Sequence, residues 1–256
     1  MMPEAVVAIT GASGARYGVR LLDTLSEAGW KTHLIVTREG ALNLELECGK
    51  SPKDLANDSV ILEDNNNLAA KSASGSARFD AYIVCPASGT TIGKIASGIS
   101  DNLATRSALV AMKERRKLIL VPRESPYATP HLRAMANLSE WGVVILPASP
   151  GFYNKPQTLD DMVDFIVARI LDQLDIDHTL GKRWTGDEIG SQGIDCKIAL
   201  LPVGFKRGSF AVRVEESYDK LGIAHRCATQ RGVQEKRPCE WREEGRTSRS
   251  TRGLFH

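Results

Sequence analysis

Short, nearly unbroken apolar runs recur along the first 150 residues: EAVVAIT (4–10), THLIV (32–36), AYIVC (81–85), KLILV (117–121) and VVILP (143–147). Each is too short for a core helix and most are rich in β-branched residues, so each predicts a buried strand. Between them lie longer segments with apolar residues at helical spacing, among them 17–28 and 159–174. The latter, LDDMVDFIVARILDQL, follows Thr158 as a helix N-cap and carries Asp160 and Asp161 in its first turn, where carboxylates complement exposed N–H groups. Strands that are apolar on both faces and alternate with helices predict a mainly parallel sheet covered on both sides. The expected fold class is therefore α/β, a Rossmann-like or flavodoxin-like three-layer αβα domain.

After Trp184 the periodicity weakens, glycines scatter, and the chain ends in an Arg-rich stretch with few apolar anchors. The pattern predicts a domain over 1–185 and a C-terminal extension, 186–256, that is largely disordered. Within it, IALLPVGF (198–205) and FAVRVEESY (210–218) offer an alternative, a β-hairpin. A length of 256 residues with 42% hydrophobic content fits this one-domain reading. The formal net charge of +2 provides no basic footprint for nucleic acid. No run approaches the ~20 apolar residues of a membrane span, and MMPEAVVAITGASG lacks the features of a secretory signal. The expectation is a cytoplasmic protein that binds neither membrane nor nucleic acid. Cys48, Cys85, Cys196, Cys227 and Cys239 show no CxxC spacing and form an odd set, which predicts reduced thiols and no zinc site.

Candidate chemistry gathers just after the strands, where open parallel sheets bind ligands. TGASGARYG (10–18) offers backbone N–H groups and a hydroxyl at a helix start, a place suited to a phosphate or a flavin edge. It is not the GxGxxG fingerprint, because Ser13 and Arg16 stand where glycines are needed. In CPASGTTIGK, Ser88, Thr90 and Thr91 surround Gly89 at another helix start; one hydroxyl suffices for capping, and three point to an anion. KERRKLILVPRESP places Arg123 and Glu124 at the end of a strand, where a charged pair is awkward to explain as packing. PASPGFYNKP puts Tyr153 in a Pro/Gly-rich loop, and Arg169 falls within an otherwise apolar helix, where it either snorkels or meets an anionic partner.

TGASGARYGVRLL, CPAS, SDNLATRSA, KERRKLILVPRESP, LPASPGFYNKPQTLDD and the terminal Arg183–Trp184 occur in the order found in the flavin prenyltransferase family, the UbiX-type proteins once described as aromatic acid decarboxylases, and the chain resembles that family over about 4–184. The resemblance implies a homo-oligomer, up to a dodecamer, that attaches a dimethylallyl group from dimethylallyl phosphate to N5 and C6 of reduced FMN. The prenylated FMN then serves a UbiD-type decarboxylase, a chemistry linked to ubiquinone biosynthesis. Carried over by position, Gly11, Ala12, Ser13, Thr37, Ser88, Gly89, Thr90, Thr91 and Arg123 match FMN contacts. Lys113, Arg123, Tyr153, Arg169 and Trp184 match groups around the prenyl donor, and Glu47 and Glu124 match acidic residues near the reacting flavin. Ala77 stands where many relatives have an aromatic, Thr37 replaces a serine, and the tail has no counterpart.

Breaking an allylic C–O bond leaves negative charge on phosphate and carbocation character on carbon. No Asp-rich motif offers to hold a magnesium ion, so the cations Lys113, Arg123 and Arg169 are expected to stabilise the leaving phosphate. Two other readings keep the flavin: an FMN-dependent cysteine decarboxylase, whose early histidine is missing from GARYGVRLLDTL, and a non-catalytic flavin-binding protein.

Overall fold

The computed structural model describes residues 2–181 and 183, together with the backbone of two short strands further on. Six strands form one sheet: β1 (Glu4–Ile9), β2 (Lys31–Val36), β3 (Val60–Glu63), β4 (Ala81–Ala87), β5 (Lys117–Pro122) and β6 (Val144–Ile145). All pairings are parallel and the order is β3-β2-β1-β4-β5-β6. From β1 the chain winds outward through β2 and β3, then returns to β4 and winds the other way. Such a reversal opens a crevice beyond the carboxyl ends of β1 and β4.

Six helices cover the sheet. On one face lie α1 (Ala15–Glu27), α2 (Arg38–Cys48) and α6 (Leu159–Gln173); on the other lie α3 (Gly89–Ala96), α4 (Leu103–Lys113) and α5 (Thr129–Glu140). Alternation along β1 divides the apolar load between them, because successive side chains leave a strand on opposite faces. Val7 and Ile9 join Leu21, Leu25, Leu44 and Ile170 in the first core, whereas Val6 and Ala8 join Ile92, Leu103, Val110 and Leu138 in the second. Each buried Leu or Ile contributes about 1.5–3 kcal/mol, so both cores are substantial. Side chains fix the helix starts. Thr37 accepts the Gly40 N–H at 3.1 Å, and Thr158 caps α6 as expected, with Asp161 accepting the Thr158 N–H in return. Arg20 Nε donates to Asp164 at 2.7 Å, tying α1 to α6.

Two edges differ from the sequence pattern. VVILP yields only Val144–Ile145 as regular strand, although the N–H groups of Leu146 and Ala148 still reach the Leu120 and Pro122 carbonyls of β5 at 2.9 Å. β3 was not expected; it is four residues long, and only its Val60 is buried. Beyond the sheet, Ser217–Tyr218 pairs antiparallel with Ala224–His225. The segments 198–205 and 210–216, and with them most of the expected extension, lie outside the described residues. Among the described residues no helix is long and apolar enough to cross a membrane.

At the β3 edge, His33 Nδ1 lies 2.7 Å from Glu63 Oε1, and Ser72 Oγ donates to the other carboxylate oxygen. Burial alone would push the Glu63 carboxyl up, but hydrogen bonds from His33 and Ser72 outweigh it and hold the group below its ordinary value of 4.5. Because the folded value is depressed, this stabilisation is present above the ordinary value and lost as acid protonates the folded carboxylate. Urea unfolding followed from pH 7 to pH 3 should show stability falling in that acid range, and Glu63→Gln should flatten the fall.

Candidate active site

The turn after β1 forms the centre of the site. Thr10 is fully buried; its Oγ1 donates to the Pro86 carbonyl at 2.8 Å and accepts the Ser88 N–H at 2.8 Å. One hydroxyl thus holds together the carboxyl ends of β1 and β4, the two strands that flank the crevice. Gly14 ends the turn at φ 112°, a left-handed conformation open to glycine at low cost. Gly14 has no side chain to cap the helix, and Glu47 of α2 takes that place, accepting from Gly14 N at 2.9 Å and Ala15 N at 2.8 Å. A carboxylate at a helix start is favoured by the aligned peptide dipoles.

The first turn of α3 is arranged differently. Ser88 Oγ accepts the Thr91 N–H at 3.2 Å and lies 2.9 Å from Thr91 Oγ1. The N–H groups of Gly89 and Thr90 find no acceptor among the described residues, so this helix start is free to receive an anion. Gly89 is buried beneath the ring of His131 from α5; a Cβ on it would lie 2.2 Å from His131 Cε1. Past β5, Arg123 Nε donates to the Ser13 carbonyl at 2.9 Å, which brings a guanidinium onto the β1 turn, and Glu124 follows it, exposed. In the loop after β6, Tyr153 sets its ring edge-on to Phe165 of α6, with centroids 5.8 Å apart.

The carboxyl end of the sheet therefore gathers Gly11, Ala12, Ser13, Thr37, Ser88, Gly89, Thr90, Thr91, Arg123, Glu124 and Tyr153, with Glu47 reaching it from α2. Two expected residues lie elsewhere in the chain. Lys113 ends α4, which runs antiparallel to the strands, and so stands at their amino ends, paired with Glu114 beside Gly75. The Ala77 carbonyl belongs to that same end, where it accepts from Arg116 at 2.6 Å. Arg169 lies ten residues into α6, about 15 Å along the axis from its start, and pairs with Asp172 at 2.5 Å. Asp172 also receives Arg183 at 2.8 Å and His178 at 3.2 Å. Trp184 lies outside the described residues.

Two residues of the site escaped the sequence reading. Thr10 carried a usable signal, a hydroxyl at a strand end directly before glycine. His131 had none, since its neighbour Gly89 is distant in sequence. Thr10→Val keeps the shape and the backbone N–H on the Pro86 carbonyl, but leaves the Ser88 N–H without its partner, at a cost of about 1–3 kcal/mol. Urea unfolding of that variant should show a loss of this order, and FMN affinity should fall with it.

A family model described as Flavoprotein matches residues 2–171. A flavin prenyltransferase UbiX from Thermoplasma acidophilum is 45% identical over 179 residues, 70% of this chain and 98% of that protein. The crystal structure of a dodecameric FMN-dependent UbiX-like decarboxylase from Escherichia coli O157:H7 superposes with TM-score 0.69 at 43% identity, covering 72% of this chain and all of the other. AnUbiX (PadA1), crystallised with FMN and dimethylallyl pyrophosphate, gives TM-score 0.69 at 39% identity over 73% of this chain and 99% of its own. With identity at this level over almost the whole of each relative, on a sheet whose crevice carries the matching motifs, the chain belongs to the UbiX-type flavin prenyltransferases of the Flavoprotein family.

Proposed function

We propose that this chain transfers a dimethylallyl group from dimethylallyl phosphate to N5 and C6 of reduced FMN, providing prenylated FMN for a UbiD-type decarboxylase. The observation that carries the reading is the convergence of idle N–H donors, a guanidinium and two carboxylates at one crevice, in a chain 45% identical to a flavin prenyltransferase. FMN fits the residues present. The unpartnered N–H groups of Gly89 and Thr90 suit its phosphate, and Gly11 lets the β1 turn pack against α2, where a Cβ would stand 2.7 Å from Glu39 Cβ. Bound and reduced, FMN supplies the nucleophilic ring atoms.

The protein's own part is mainly electrostatic. As the allylic C–O bond breaks, both electrons pass to the phosphate oxygen, and fixed positive charge nearby lowers the barrier. Arg123 spends Nε on the Ser13 carbonyl, which orients the guanidinium and leaves its terminal N–H groups for the phosphate. Glu47, anchored on two backbone N–H groups, holds negative charge where the carbon fragment becomes cationic. Glu124, exposed beside Arg123, accepts the proton released when the new ring closes. The protein works as a homo-oligomer in this reading, and a neighbouring copy brings Lys113 from its amino end to the crevice; a relative at 43% identity is dodecameric. The free thiols of Cys48 and Cys85 support a cytoplasmic location, where cysteines stay reduced. The cysteine-decarboxylase alternative gains nothing from the structure, because α1 carries no histidine.

Anaerobic incubation with reduced FMN and dimethylallyl phosphate should give a flavin heavier by one five-carbon unit in the mass spectrum; recovery of unmodified FMN alone would point to a non-catalytic flavin protein. Arg123→Ala should slow adduct formation about 100- to 1,000-fold. Glu124→Gln should retain FMN and form the adduct more slowly, and unchanged turnover would remove Glu124 from the proton step.

A further inference from the structure

Tyr17 has no role in the reading above, yet the charged groups of the site surround it. Its ring lies against Gly14, where a Cβ would come within 2.8 Å of Tyr17 Cδ2. Gly14 is the meeting point of the site. Its N–H is held by Glu47 at 2.9 Å, its carbonyl accepts the Tyr17 backbone N–H at 3.0 Å, and the Ser13 carbonyl just before it accepts Arg123 Nε at 2.9 Å. The Tyr17 ring is partly buried against the first core, which fixes its position. Its hydroxyl makes no hydrogen bond among the described residues. An anchored phenol with an idle hydroxyl beside a guanidinium is a ready donor to an anion.

The sheet decides which anion. Tyr17 packs into the same core as Ala148 and Phe165, on the side that carries Tyr153, whereas the free N–H groups of Gly89 and Thr90 open α3, which packs into the other core. The two anion-receiving features therefore lie toward opposite faces of the sheet, one for each phosphate of a two-phosphate reaction. We propose that the Tyr17 hydroxyl donates a hydrogen bond to the phosphate of the prenyl donor, forming with Arg123 the cradle that receives the leaving group; this rests on the prenyl-transfer reading. Burial pushes the Tyr17 phenol up, with Cys85 adding to it, Arg123 opposing and Glu47 adding, so the group remains a protonated donor at neutral pH.

Tyr17→Phe preserves the packed ring and deletes only the donor. Dimethylallyl phosphate titrated calorimetrically into the FMN-loaded variant should bind about 10- to 100-fold more weakly than to wild type. FMN affinity, read from flavin fluorescence, should stay within about twofold, as should be expected of a change confined to the donor side, and the melting temperature should not move. Unchanged dimethylallyl phosphate affinity, or an equal loss of FMN affinity, would overturn the assignment. A wild-type protein that binds dimethylallyl phosphate but forms no adduct would refute prenyl transfer while leaving the contact standing. Failure of the wild type to bind it at all would overturn both.

Discussion

Between β1 and β4 the chain leaves the sheet in opposite directions, and the backbone groups at the two strand ends would diverge without a partner in common. Thr10, at the end of β1, is that partner: its buried hydroxyl donates to the Pro86 carbonyl of β4 and accepts the Ser88 N–H just after β4, and its own N–H reaches the same carbonyl. With the two ends pinned, the β1 turn and the start of α3 face one crevice at fixed separation. Arg123 then closes the third side through the Ser13 carbonyl. A crevice held by hydrogen bonds among its own walls is ordered before a ligand arrives, which is the condition for electrostatic catalysis without reorganisation.

The helix starts at this crevice divide their labour. α1 is already satisfied by Glu47 and presents a carboxylate, while α3 satisfies itself only in part and keeps two N–H groups for an anion. Adjacent helix starts thus present opposite polarity. One suits a phosphate and the other a centre that gains positive charge.

Parallel topology also separates residues that sequence places close together. Lys113 and Arg123 share one short motif, yet β5 runs between them, so they stand at opposite ends of the sheet. Arg169 is removed from the crevice by the length of α6 and bound into a cluster on Asp172 with Arg183 and His178. Burial would raise the Asp172 carboxyl, but the hydrogen bond from His178 and the charges of Arg169 and Arg183 prevail and hold it low.

Much of the architecture was legible in the residues. Five apolar runs marked five of the six strands, because a strand buried on both faces has no polar positions to blur the pattern, and Thr158 with Asp161 marked the start of α6 because capping is local chemistry. β3 was hidden, being a short edge strand with a single buried residue. The motifs located the loops that line the crevice, since glycine and hydroxyl side chains at a strand end carry meaning without distant partners. Tertiary structure alone decided the rest: the pairing of Thr10 with Pro86 and Ser88, the use of Glu47 as a cap for another helix, the place of Tyr17 beside Arg123, and the exile of Lys113. Each is a contact or a separation between segments far apart along the chain, set by strand order and helix direction, and neither quantity is written in any local run of residues.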